Sequence, residues 1–273
     1  MMRGYLSGLL LAFAAPAFAQ PAPPTPLIAI YEQIHQHPEL SHFEAETSAI
    51  LARELRAAGY AVTDHVGVYP DGSRAYGVVA LMRNGAGPTL MIRGDMDALP
   101  LIERTDLPYA SHVMAKNKAG QNVGVMHACG HDLHTTVLIG VARALAAARA
   151  NWHGTLMLVG QPSEETADGA RAMLADRLYE RFARPDMIVG LHDSNTWPAG
   201  KVGLAIGRAQ AGTTSIDVTI RGIGGHGAAP QLAKDPVVLA AMFVTQLQTI
   251  VSREADPLDP TVITVGSIHG GTR

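Results

Sequence analysis

The sequence predicts an α/β fold, a mostly parallel sheet with helices on both faces, followed by a smaller α+β domain. Three observations carry this. The runs "GTLMLVGQ" and "DMIVGLHD" are too continuously apolar for strands with one wet face, so they read as strands buried on both sides. Segments of helical period separate such runs, which is the order of a parallel sheet with crossover helices. From about Thr213 the pattern changes to the alternating "TSIDVTIRG", a strand solvated on one face, so a second domain is placed over residues 210–273.

In chain order, "PLIAIYEQIHQHPEL" and "EAETSAILARELRAAGY" repeat apolar residues at helical spacing, the second stopping at Gly59. "AYGVVALM" and "PTLMIRGDMDALP" are β-rich runs on either side of the turn signal "NGAG", and the polar stretch Ser111 to Asn122 reads as a loop. "DLHTTVLIGVARALAAARA" is a helix that Asp132 is suited to cap, with a stripe of Leu138, Val141 and Leu145. The strand "GTLMLVGQ", the short helix "GARAMLAD" and the strands "DMIVGLHD" and "GKVGLAIG" complete the first domain, residues 20–209. The second should hold "TSIDVTIRG" as a strand, "PVVLAAMFVTQLQTIVS" as a helix and "TVITVGSI" as a strand.

Residues 1–19, "MMRGYLSGLLLAFAAPAFA", have a basic start, an apolar run and small residues at Ala17 and Ala19. They read as a secretory signal peptide cleaved near Ala19, which predicts a secreted or periplasmic protein. No other apolar run is long enough for a membrane span, so a membrane partner is not expected. A net charge of −3 with 5% aromatic residues and no basic stripe excludes nucleic acid as an expected partner. The one cysteine, Cys129, has no disulfide partner within the chain and is buried, reactive or a ligand.

Chemistry collects at strand ends. In open α/β sheets ligands bind beyond the carboxyl ends of the strands. Four apolar runs here end in polar loops: Asp95 and Asp97; Cys129, His131 and Asp132; Glu164 and Glu165; His192 and Asp193. Thiolate, imidazole and carboxylate form the ligand set of a zinc-like transition-metal site. A cysteine nucleophile is the competing reading, but the acidic loops around Cys129 would raise its pKa. His127 and His134 read equally as part of this cluster or as capping or core histidines. Side chains of adjacent residues in a turn diverge, so one of the two glutamates can bind metal while the other moves a proton to or from metal-activated water. Asp95 and Asp97 either steady metal-bound histidines from behind or make turn hydrogen bonds.

The ordered motifs "HQHPELSHFEAET", "RGDMDALP", "MHACGHDLHT", "GQPSEE", "GLHDSNTWPAGKVG" and "GIGGHGAAPQLAKDP" resemble the amidohydrolase branch of the aminoacylase and carboxypeptidase dinuclear metallopeptidases. Hippurate hydrolases and plant auxin-conjugate hydrolases belong to that branch. The resemblance implies metal-dependent hydrolysis of the amide bond of N-acyl amino acids, with two divalent ions (Mn, Zn, Co or Ni), and a homodimer built through the smaller domain. It implies Cys129, His131, Glu165 and His192 as ligands and Glu164 as general base. Asp95, Asp97 and Asp132 would support the ligands. His226 would hold substrate from the smaller domain, across to a dimer partner's site. Gln231 departs from the histidine that many members have there. The chain stops at "GSIHGGTR", before the family's last metal-binding histidine, and His269 is too early to replace it. On that resemblance the chain is expected to be truncated. A dipeptidase or carboxypeptidase, or an inactive truncated metal-binding fragment, are the alternatives.

Overall fold

The computed structural model describes residues 25–207 and 212–271. The signal-peptide segment 1–19 lies outside the described residues. The described chain forms two compact units that part between Thr196 and Trp197, ahead of the boundary expected near residue 210.

In the first unit, α1 (Leu27–Gln36) and α2 (Ala45–Ala57) form where apolar residues recur at helical spacing. Gly59, at φ 90°, ends α2: its N–H reaches Arg56 O at 2.9 Å and the Tyr60 N–H reaches Leu55 O at 3.1 Å. This double closure takes up two carbonyls that the helix end leaves free, in a left-handed conformation glycine adopts at little cost. Next come β1 (Ala61–Val68), β2 (Arg74–Asn84) and β3 (Thr89–Asp95), then the small hairpin β4 (Met114–Lys116) and β5 (Asn122–Gly124). The hairpin lies where the sequence reads as loop. The helix α3 (His131–Ala147) is followed by β6 (Gly154–Gln161), α4 (Gly169–Ala175), α5 (Leu178–Arg181) and β7 (Met187–Gly190).

The sheet order is β1-β2-β6-β3-β7. β6, β3 and β7 pair in parallel, while β1 and β2 extend the other side antiparallel. The "NGAG" turn therefore closes no hairpin, because β6 lies between β2 and β3. Helices cover both faces. Ile30, Leu51, Leu55 and Ile139 pack with Val78 and Leu158 on one side; Met173 and Leu178 pack with Val79, Met157 and Val159 on the other. The central strand β6 is buried on both faces, as its unbroken apolar run requires, whereas β7, at the end of the sheet with a neighbour on one side only, is exposed along its whole length and corrects the expectation of a strand buried on both sides.

Parallel register fixes the site. Asp95 lies opposite Gln161, and Arg93 opposite Gly190, so the chain leaves β6, β3 and β7 along one edge of the sheet. α3 starts beside that edge, with the backbone of His134 close enough to Gly94 that an added Cβ would meet its carbonyl oxygen at 3.2 Å.

In the second unit, α6 (Pro236–Thr249) forms as expected and begins at Asp235, whose Oδ1 accepts the N–H groups of Val237 and Val238. The helical path continues to Glu254 as a wider π-turn. Pro236–Glu254, 19 residues, is long and apolar enough to cross a membrane by length and composition, which corrects the reading that no such run exists outside the leader. The expected strands "GKVGLAIG", "TSIDVTIRG" and "TVITVGSI" are not strands among the described residues; only an Ile223–Lys234 bridge forms there. A strand exists through its neighbour's hydrogen bonds, and among the described residues these segments have no ladder partner; the bridge begins at Ile223, one residue past "TSIDVTIRG".

Candidate metal centre

His131, at the start of α3, is 0% exposed, yet neither ring nitrogen has a hydrogen-bonding partner. Around it stand Asp97 Oδ1 at 3.4 Å from Nδ1, and Asp95 Oδ1, Glu164 Oε2 and Glu165 Oε1, each 3.8 Å from Nε2. Burial opposes charging this ring, but Asp97, Asp95 and Glu165 together outweigh it and raise its pKa to about 9. Four carboxylates converging on one buried imidazole leave negative charge that needs a cation.

Two further ligand-forming groups adjoin it. Cys129, His131 and His192 bring their donor atoms within 4.8 Å of one another, as do His131, Glu164 and Glu165. His131 belongs to both, so Cys129, His131, Glu165 and His192 are brought together. His192 Nδ1 donates to the Asp193 carbonyl at 2.7 Å, which leaves Nε2 with its lone pair facing Cys129 Sγ at 3.7 Å. Glu165 Oε1 is buried without a partner. The donor set and these orphaned atoms fit a divalent transition metal.

The two glutamates do not diverge, as expected for adjacent turn residues; both face His131. Their backbones explain it. Asp97 Oδ1 accepts the Glu164 N–H at 2.9 Å and Oδ2 accepts the Glu165 N–H at 3.0 Å, while Ser41 Oγ donates to Oδ2 at 2.6 Å. One carboxylate thus pins both amides and turns both side chains the same way. What separates the pair is exposure, 42% for the Glu164 side chain against 20% for Glu165.

Asp95 serves the other side. It is paired with Arg93 and accepts from His134 Nδ1 at 2.6 Å, and these partners, working against burial, hold its carboxyl down to about 2. His134 Nε2 then accepts the Asp193 N–H at 2.9 Å, but Asp193 Oδ1 also lies 3.1 Å from that nitrogen. With either protonation state one of these two contacts is repulsive, and a cation bound by Asp193 Oδ1 would offset the carboxylate's charge while the Nε2 lone pair keeps the N–H. His134, which the sequence left open between cluster member and core or capping residue, and Asp193 thus line the same centre. Their signal was available: His131 and His134 share one face of the first helical turn at i, i+3.

Asp132 is placed elsewhere. It does not cap α3, whose cap position is Gly130 at φ 79°; its Oδ2 binds His35 Nδ1 at 2.6 Å, and it belongs to none of the ligand-forming groups. Glycine suits position 130 because φ 79° is a left-handed conformation that L side chains rarely adopt, and a Cβ there would also push the Asp193 carboxylate aside. His127 is buried with neither nitrogen partnered, and burial pushes its pKa down to about 4. His226 lies in the second unit, where its Nδ1 accepts the Ala228 N–H at 3.2 Å.

Burial, then Glu165, Glu164 and Asp95, push the Cys129 thiol up to about 12. Alkylation of the metal-free chain by iodoacetamide should therefore run roughly 10- to 100-fold slower than that of a free cysteine, the scarcity of thiolate being partly offset by its greater nucleophilicity. A rate at or above the free-thiol value would restore the nucleophile reading.

Residues 91–269 match the profile of Peptidase family M20/M25/M40. Hippurate hydrolase of Campylobacter jejuni is 39% identical over 243 residues, covering 89% of this chain and 58% of that protein. A protein of methicillin-resistant Staphylococcus aureus, described as an aminohydrolase by assignment only, superposes with a TM-score of 0.66 at 33% identity, over 90% of this chain and 61% of that structure. A Bacillus subtilis protein described as a dinuclear metal binding peptidase gives 0.56 at 37% identity, over 66% and 45%. The chain spans under two thirds of the length of each. Since the matched stretch carries the β3 edge, the Cys129 loop, the Glu164–Glu165 turn and His192, the chain belongs to Peptidase family M20/M25/M40.

Proposed function

We propose that this chain contributes to metal-dependent hydrolysis of the amide bond of N-acyl amino acids, with Cys129, His131, Glu165 and His192 as ligands and Glu164 as general base. The observation that carries it is His131, buried with two orphaned nitrogens and shared between the Cys129–His192 and Glu164–Glu165 groups. The N-acyl amino acid class is supported by the likeness to hippurate hydrolase, and the two-ion reading by the likeness to the dinuclear B. subtilis protein.

When bound, divalent ions would supply Lewis acidity toward the amide carbonyl and make water more acidic. The chain's own residues do the rest. Glu164, the more exposed glutamate, takes a proton from the attacking water and delivers it to the amide nitrogen as the C–N bond breaks. Glu165, held by Asp97 and half-buried, binds rather than shuttles. His134 and Asp95 hold the His192–Asp193 loop through the Asp193 N–H. His226 would hold substrate in a dimer, and the leader at residues 1–19 would export the protein.

The test is metal titration with Mn²⁺, Zn²⁺ and Co²⁺, paired with turnover of N-acyl amino acids and of dipeptides. Metal binding that His131→Ala abolishes, with N-acyl amino acids cleaved in preference to dipeptides, is expected. Binding untouched by His131→Ala sinks the site, and preferred cleavage of dipeptides replaces the substrate class.

A further inference from the structure

We propose that Glu44 is a positioning residue for the Glu164–Glu165 turn: a buried carboxylate at the start of α2 that fixes Ser163 in a left-handed conformation and so aims both glutamates at His131. The inference rests on reading those glutamates as base and ligand.

Glu44 is fully buried, 119 residues from Ser163 in sequence. Its Oε1 accepts the Ser163 N–H at 2.7 Å, the Ser163 hydroxyl at 2.9 Å and the His42 N–H at 3.1 Å. Because the Ser163 hydroxyl gives its one proton to Glu44, Tyr69 must donate in the 2.6 Å contact between the two hydroxyls, and the His42 N–H also reaches Ser163 Oγ at 2.9 Å. The hydroxyl is thus saturated, with one bond donated and two accepted.

Backbone conformation shows what this clamp holds. Ser163 sits at φ 50° and His42 at φ 73°, a region that costs most L-residues energy and persists where surroundings over-determine it. Both strained residues bind the same carboxylate oxygen. Beyond Ser163, the Glu164 and Glu165 N–H groups go to Asp97, so three consecutive amides point at two buried carboxylates. Successive N–H groups in a turn form a concave anion site, and here the protein fills it with its own acids. Glu44 fixes the first amide and Asp97 the next two. Without Glu44, the Ser163 N–H loses its acceptor and the hydroxyl keeps only what Tyr69 and the His42 N–H give it, so the left-handed conformation loses its strongest restraint and relaxation there rotates the glutamates that follow.

The experiment measures amide hydrogen exchange at residues 163–165 and Mn²⁺ affinity in the full chain for Glu44→Ala, Tyr69→Phe and the double variant Glu44→Ala with Ser163→Gly. Glu44→Ala should speed exchange at the turn by roughly 10-fold or more, leave the β6 amides protected, and weaken Mn²⁺ binding by roughly 10- to 100-fold. Adding Ser163→Gly should recover most of the Mn²⁺ affinity, since glycine adopts this φ unaided; a lost contact that merely stabilised the fold would not be rescued that way. Tyr69→Phe removes one donor and should act in the same direction, more weakly, which keeps the test open if Glu44→Ala does not fold. Native exchange at the turn in a folded Glu44→Ala or Tyr69→Phe protein overturns the proposal, as does failure of the glycine rescue. If the unaltered chain binds no Mn²⁺ while exchange at the turn still responds to Glu44→Ala, the proposed function fails and the clamp stands.

Discussion

Glu164→Gln should keep its metal and lose turnover of N-acyl amino acids by roughly 10²- to 10⁴-fold, the usual worth of a general base. The amide preserves the shape of the side chain and the N–H that Asp97 accepts, so the turn stays in place. What it loses is the ability to take a proton from water. The metal should stay because Cys129, His131, His192 and Glu165 are untouched. Glu165→Gln is the control: its orphaned Oε1 is buried beside His131, so metal content should fall. Metal analysis and initial rates on both variants decide the matter. Equal loss of metal in both would mean that the glutamates share one role, as their common approach to His131 allows.

Asp97→Ala should cost about 3–5 kcal/mol in urea unfolding of the metal-free chain and abolish tight metal binding. The carboxylate is buried and accepts from Ser41 and from the Glu164 and Glu165 amides, with His131 Nδ1 alongside. Its removal strands three donors where water has little access, and each costs about 1–3 kcal/mol. Removal also lifts the desolvation burden of the acid itself, which holds the total below the sum of those losses. A destabilisation under about 1 kcal/mol would show that water or a neighbour replaces Asp97, and that it does not organise the turn.

Most of the centre was legible in the sequence because strand ends were. "LMIRGDMD", "LMLVGQPSEE" and "DMIVGLHD" are apolar runs with abrupt polar ends, and a parallel sheet sends such ends to one edge. The misreadings have physical causes. β1, "AVTDHVGV", carries no clean strand signal because Asp64 and His65 break its alternation; it forms through its antiparallel pairing with β2, irregular between Thr63 and Val66. Asp132 reads as a local cap, but its partner His35 is 97 residues away. The Glu44–Ser163 clamp spans a greater separation still, and no local pattern announces it. In the second unit, alternation in "TSIDVTIRG" describes a strand's faces and supplies no neighbour to pair with; the periodicity of α6 was enough for a helix, whose hydrogen bonds are internal.

The shared edge of β6, β3 and β7 also sets where the gene can change length. Asp95 and Asp97 are two residues apart, the spacing that keeps side chains on one face of an extended segment. A codon inserted within β3 would carry Gly94 or Met96 into the acid's place and turn the carboxylates away from the centre. The turn from Asn84 to Pro88 lies at the opposite end of the sheet, before Thr89 pairs with Thr155, and additions there would leave every ligand where it is. Drift in length should therefore collect at one rim of the sheet, while the other rim admits substitutions but no change of register.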